Sequence, residues 1–171
     1  MDTLLSRLAE VWMAFPGLLL ALIIVARLGP SLTNTVLALG IVGVPSYFRL
    51  VRNATLSAKH LLYVEAAHAL GMPSWRILLC HVLPTTAPTI IVLASMRMGM
   101  LLLAGGGLSF IGLGAQPPLP EWGALLAAGR DYMDTAPWLA LFPGLCLTVT
   151  VIAFNLLGDG LRDALDPFQR G

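Results

Sequence analysis

The sequence predicts an all-α, polytopic helical membrane protein, and three observations predict it. Of its 171 residues 57% are hydrophobic and only 11% charged, against about 25% charged in soluble domains. The mean hydropathy is +0.84. The few charges are also clustered, with none between Glu10 and Arg27 and none from Thr135 to Gly158. A bilayer span needs about 20 largely apolar residues, and both intervals are close to that length.

Four spans are expected. Leu4, Leu5, Leu8, Val11, Trp12 and Phe15 follow helical spacing, so the chain opens as an interfacial helix running into a first span, residues 11–26. Asp2, Glu10 and a single basic residue, Arg7, do not make a secretory signal. Gly29-Pro30-Ser31 then forms a tight turn, because proline fixes φ and glycine permits the reversal. The second span covers 33–50, the third 88–105 and the fourth 137–157. Two connections are too polar or too rich in glycine and proline to span, residues 57–84 and residues 106–136. The short interior loops decide orientation. Arg7, Arg49, Arg52, Lys59, Arg76, Arg162 and Arg170 fall on one side, and Arg27 and Arg130 on the other. The first side, with both termini and the 57–84 loop, is therefore expected to be cytoplasmic.

The segment SAKHLLYVEAAHALGMPSWRILLCHVLP, residues 57–84, is the most organised polar stretch. Leu61, Leu62, Val64, Ala67 and Leu70 give one helix an apolar face, with Glu65 and His68 directed elsewhere. Gly71 stops that helix. After Pro73 and Ser74 a second helix restarts, with Trp75, Ile77, Leu78 and Val82 on its apolar side, and Pro84 is expected to end it where the third span begins. The pattern describes a compact knob of two short helices on the membrane surface. Read from physics alone, two amphipathic helices lying in the headgroup layer fit it equally.

Several residues carry chemistry that needs weighing. Arg97 lies within the third span, where a charge costs roughly 3 kcal/mol on insertion scales and must face protein or water. It is expected either to pack against a neighbouring helix or subunit, the plainer alternative, or to line a pathway and meet a substrate carboxylate. Gly105-Gly106-Gly107 closes that span and favours close helix packing. Pro120-Glu121-Trp122-Gly123 opens a short helix reaching about Met133. Trp122 anchors it at the interface. His60, His68 and His81 stand eight and thirteen residues apart, which is not a metal-ligand spacing. Cys80 and Cys146 have neither metal nor disulfide spacing. Asp159, Asp163 and Asp166 share a helix end with Arg162 as a solvated face. No basic run exists to bind nucleic acid. No nucleophile stands with a base and there is no phosphate-binding loop, so no enzyme chemistry and no cofactor are expected.

Glu65-Ala66-Ala67, Gly71, and Leu83-Pro84 in this spacing resemble the EAA loop of binding-protein-dependent ABC transporter permeases. The family pattern has an aliphatic residue where this chain has His81, a histidine shared with the peptide-permease subgroup. Where that subgroup has asparagine after the proline, this chain has Thr85. Leu108 to Gly114, Gln116-Pro117-Pro118, Glu121-Trp122-Gly123, Pro143-Gly144 and the tail Asn155 to Pro167 extend the likeness to the dipeptide/oligopeptide/nickel subgroup, nearest its C-type subunit. The resemblance implies a partial type I importer permease fold. The two spans that would precede Met1 complete six in the family. It further implies that Glu65, Ala66, Ala67, Gly71, Leu83 and Pro84 form the coupling loop. Expected partners are ABC ATPase subunits that bind the ATP, a second, B-type permease, a periplasmic or lipid-anchored solute-binding protein, and membrane lipid. The segment 106–136 would face the periplasm. Two other functions compete with this one. A secondary transporter would need polar groups at mid-membrane in several spans, and only Arg97 is present. A non-transporting remnant or membrane scaffold is the alternative.

Overall fold

The computed structural model describes residues 2–165, so Asp166, Pro167 and Arg170 of the tail lie outside the described residues. Among the described residues eight α-helices follow in order: α1 (Asp2–Met13), α2 (Gly17–Leu28), α3 (Leu32–Ala58), α4 (Leu62–Ala69), α5 (Ser74–Ile77), α6 (Leu83–Phe110), α7 (Trp122–Arg130) and α8 (Trp138–Leu165). A π-turn, Leu78–Val82, joins α5 to α6. Among the described residues three helical stretches are long and apolar enough to cross a membrane, Leu32–Ala58, Ser74–Phe110 and Trp138–Leu165, and the bent pair Asp2–Met13 with Gly17–Leu28 makes a fourth if counted as one span.

The first expected span, residues 11–26, is not one helix. α1 and α2 meet at 85°, with the elbow at Ala14–Pro16. The cause is Pro16. It disfavours helical geometry at Phe15 and itself takes φ −57°, ψ 119° ahead of α2. α1 then folds back towards the far end of α3. There Arg52 donates from Nε and a terminal nitrogen to the two Asp2 carboxylate oxygens, at 2.7 and 2.6 Å. This hydrogen bonding from Arg52 holds the Asp2 carboxyl below its ordinary pKa. The tether is therefore present above the ordinary carboxylate value and is lost as pH falls through the lowered one.

The turn between α2 and α3 is fixed by its own side chains. Ser31 caps α3 by accepting from the Asn34 backbone N–H, and the Asn34 side-chain amide donates to the carbonyls of Leu28 and Gly29. Thr35, almost wholly buried, lies 3.0 Å from the Leu113 carbonyl and ties this turn to the loop after α6. Beneath it Ala21, Val25, Ala38 and Leu108 make a small core shared by α2, α3 and α6.

Glycine sets the spacing of the remaining helices. A Cβ on Gly158 of α8 would meet Met96 Cγ at 2.5 Å, and one on Gly99 of α6 would stand 3.2 Å from the Val151 carbonyl oxygen. α7 is clamped in the same way. A Cβ on Gly123 would collide with the Gly106 carbonyl, and one on Gly129 would lie 2.8 Å from the Ala140 nitrogen. In a membrane, where apolar burial drives helices together weakly, such close backbone approach is how helices associate. α7 ends at Arg130, short of the expected Met133, and Glu121 rather than Pro120 opens it. The Glu121 side chain accepts from the Ala124 N–H at 2.9 Å. The glycine run at 105–107 does not end α6, which continues to Phe110.

Phe142, Val149, Leu156 and Leu157 along α8 are all more than half exposed. That surface is suited to lipid or another subunit and not to water.

Gly123→Ala is expected to destabilise the packing of α7 by about 1–3 kcal/mol, the usual cost of overpacking. Gly107→Ala, with open space around its Cβ position, should be neutral or slightly stabilising. Thermal unfolding of the two variants in detergent checks the pair.

Candidate functional site: the 57–84 knob

The knob has its own core. Ala58 at the end of α3, Val64 and Ala67 of α4, Ile77 of α5 and Val82 of the π-turn are buried together, with Met72 packed against them. The expected apolar face is thus only partly inward. Leu62 is 83% and Leu70 86% exposed, and Trp75 is 65% exposed. These three residues give the knob an outward apolar surface.

Gly71 ends α4 for a reason that its hydrogen bonds make explicit. Its φ is +78°, in the left-handed region that side chains avoid. The Met72 N–H donates to the Ala67 carbonyl and the Gly71 N–H to the His68 carbonyl. This pair of bonds is the Schellman arrangement, including its hydrophobic contact from the residue after the glycine back to the last turn. Met72 packs against the buried cluster that includes Ala67. Pro73, extended at ψ 142°, then caps α5.

The expectation that Pro84 ends the second helix is overturned. Helical structure is unbroken from Ser74 to Phe110, 37 residues. A proline within a helix lacks the N–H that would bond four residues back, and its ring crowds that carbonyl, here that of Cys80. The chain answers by widening one turn. The Leu83 N–H donates five residues back, to the Leu78 carbonyl, which relieves the crowding without breaking the helix. Two hydroxyls bond back to carbonyls beside the π-turn, Thr85 to His81 at 2.7 Å and Thr86 to Val82 at 3.0 Å.

Thr85 has one hydroxyl proton. Given to His81, it leaves Thr85 Oγ1 to accept from the Tyr63 hydroxyl, 2.7 Å away. The Tyr63 ring also stacks on His81, with centroids 6.2 Å apart and planes at 28°. Tyr63, His81 and Thr85 therefore latch α4 to the first turn of α6. The composition of the segment gives no signal for this pairing, because Tyr63 and Thr85 are 22 positions apart and neither is part of a repeating pattern.

The six residues singled out by sequence do not converge on one point. Glu65 lines a groove between α4 and α5 with Lys59, His68 and Ser74, and its carboxylate is 3.9 Å from His60 Nδ1. Ala66 is exposed, whereas Ala67 faces the knob's own core. Only one of the two alanines is thus available for close approach by another molecule. Gly71 shapes the turn, and Leu83 and Pro84 sit exposed at the start of α6, outside the groove. The arrangement offers a convex, partly apolar surface with a single carboxylate, fixed rigidly to a spanning helix.

Arg97 lies elsewhere, within α6. Its guanidinium carbon sits 5.4 Å from the centroid of the Tyr47 ring on α3.

Comparison with known proteins agrees with this architecture. The family model described as binding-protein-dependent transport system inner membrane component matches residues 1–171. The chain is 51% identical over 166 residues to the glutathione transport system permease protein of Pectobacterium atrosepticum, covering 97% of this chain and 55% of that protein. It is 49% identical over 170 residues to the proteins of the same name in Shigella flexneri and Escherichia coli, covering 99% of this chain and 56% of each. The chain spans about half the length of the curated relatives it matches. A family match over all 171 residues, joined to three apolar helices of spanning length, shows that this multi-pass helical membrane protein belongs to the inner membrane components of binding-protein-dependent transport systems.

Proposed function

We propose that the chain forms part of the translocation pathway of an ATP-driven ABC importer, as one of its permease subunits, and that the 57–84 knob couples it to an ATPase. The observation that carries this reading is the continuity of the knob with the Ser74–Phe110 helix. A partner that grips Leu62, Leu70 and Trp75, with Glu65 at the edge of the groove, displaces α4. The Tyr63–Thr85 bond and the shared core pass that displacement to α6. ATP binding and hydrolysis fall to the partner subunits, so the chain itself is a transport component and not an enzyme, and it needs no cofactor of its own.

The distribution of basic residues supports an orientation with the knob and both termini in the cytoplasm. The α7 layer then faces the periplasm, where a solute-binding protein would deliver its cargo. A B-type permease would supply the other half of the pathway, and the exposed α8 surface suits that contact or lipid. The relatives are named for glutathione transport, which supports a peptide or a related small solute as the substrate.

Affinity capture of the tagged chain from native membranes should bring down an ATPase and a second permease. Recovery of the chain alone would favour a non-transporting remnant. Glu65→Arg and Gly71→Pro should leave membrane insertion intact and abolish ATPase association or uptake; normal uptake by both variants would reduce the knob to an interfacial anchor. Tyr63→Phe keeps the stacking on His81 and removes the bond to Thr85. Its expected cost is about 1 kcal/mol, read as roughly fivefold faster hydrogen exchange in α4, with lowered uptake per ATP hydrolysed.

A further inference from the structure

Beside the α1–α2 elbow lies a cavity of about 520 Å³, bounded by Trp12, Phe15, Gly43, Ser46, Tyr47 and Arg97 among others. We propose that this cavity binds the carboxylate of a small solute, with Arg97 as the binding cation and the aromatic side chains as the wall for the rest of the molecule. The proposal deepens the importer reading and rests on it for what becomes of the solute after binding.

Four observations lead to it. Arg97 is 13 residues from the Phe110 end of α6, about 20 Å along the helix axis at 1.5 Å per residue, and so lies well inside the bilayer. Among the described residues no carboxylate pairs with it, and no acidic residue lines the cavity. A guanidinium left unpaired at that depth is costly and needs an anion or water. The Tyr47 ring lies beneath the guanidinium. That contact holds the group in place while consuming none of its N–H donors, which leaves the planar fork free for an anion. Finally, the cavity falls in the size range of small-molecule sites, roughly 300–1,000 Å³, and has their composition, an apolar and aromatic lining with few polar groups.

The fork geometry matches carboxylate and phosphate alike. A single cation neutralises a single negative charge, which favours a carboxylate over a doubly charged phosphate.

The test is equilibrium binding of radiolabelled glutathione to the full chain in phosphatidylcholine nanodiscs. Saturable binding is expected. Arg97→Met should weaken it by about tenfold or more, and Arg97→Lys by less, since it keeps the charge and loses the fork. Glutathione dimethyl ester, without free carboxylates, should compete poorly with wild type and equally poorly with Arg97→Met. Tyr47→Leu should lower affinity a few-fold and Tyr47→Phe should not, which keeps the test decisive if Arg97→Met fails to fold. The proposal is overturned by no saturable binding up to about 10 mM, a range that reaches below millimolar-affinity contacts. It is equally overturned by binding that Arg97→Met leaves unchanged, by an ester as potent as the acid, or by binding abolished when phosphatidylglycerol is added, which would assign the cavity to a lipid headgroup. Glutathione binding without recovery of an ATPase would sink the importer reading alone. ATPase recovery without binding would sink this proposal alone.

Discussion

The structure depends on one helix not breaking where its proline says it should. With Pro84 inside it, a regular α-helix from Ser74 onward would lose a hydrogen bond and crowd a carbonyl, at a cost of about 3 kcal/mol or more. One π-turn, closed by the Leu83 N–H to the Leu78 carbonyl, absorbs the defect. π-turns of this kind are uncommon and concentrate at functional positions. Here its effect is mechanical. Had the helix ended at Pro84, the knob would hang from the span by a flexible joint and could move without it. Because the helix persists, through Pro88 as well as Pro84, Ile77 and Val82 in the knob's core and Arg97 belong to one helical stretch, Ser74–Phe110.

Two different solvents account for the rest of the architecture. The knob is stabilised as a soluble miniature domain would be, by a closed apolar cluster, a Schellman turn and a side-chain latch. The spanning part has little buried apolar volume. Its fully buried large side chains are few, Leu108 and Val25 among them, and its helices meet instead through glycine backbones at Gly99, Gly158, Gly123 and Gly129. In hydrocarbon an exposed leucine costs nothing, so packing need not hide it, and association comes from close contact alone.

What sequence revealed follows the same division. The helical class, the apolar stretches and the helix stop at Gly71 were legible because each depends on local chemistry, that is hydropathy, charge spacing and a left-handed residue. Pro16 was legible in principle. A proline within a 16-residue charge-free run marks a break, but the run's hydropathy masks it, and the elbow brings α1 back across the chain to Arg52. Of the two alanines, Ala67 turns into the knob's core and Ala66 away from it, a division that the apolar spacing of Val64 and Ala67 already pointed to. Pro84 misled because its usual consequence is local, whereas its resolution needs the register of the whole preceding turn. The Tyr63–Thr85 latch and the Tyr47–Arg97 contact join residues far apart in sequence, and no periodicity encodes such pairs.

These long-range contacts also connect the two regions. Ala58, at the end of α3, is part of the knob's core, and Ile77 and Val82, at the head of the α6 rod, complete it. Farther into the membrane the same two helices face each other again, α3 with Tyr47 and the α6 rod with Arg97. The knob therefore holds one end of each of two elements, α3 and the α6 rod, that help to bound the cavity. A rotation of α4 that shifted Ala58 relative to Ile77 would change the angle between α3 and the rod, and Tyr47 would be drawn from beneath the guanidinium or pressed against it. On the reading proposed above, occupancy of the cavity and docking at the knob would then be linked through one helix pair.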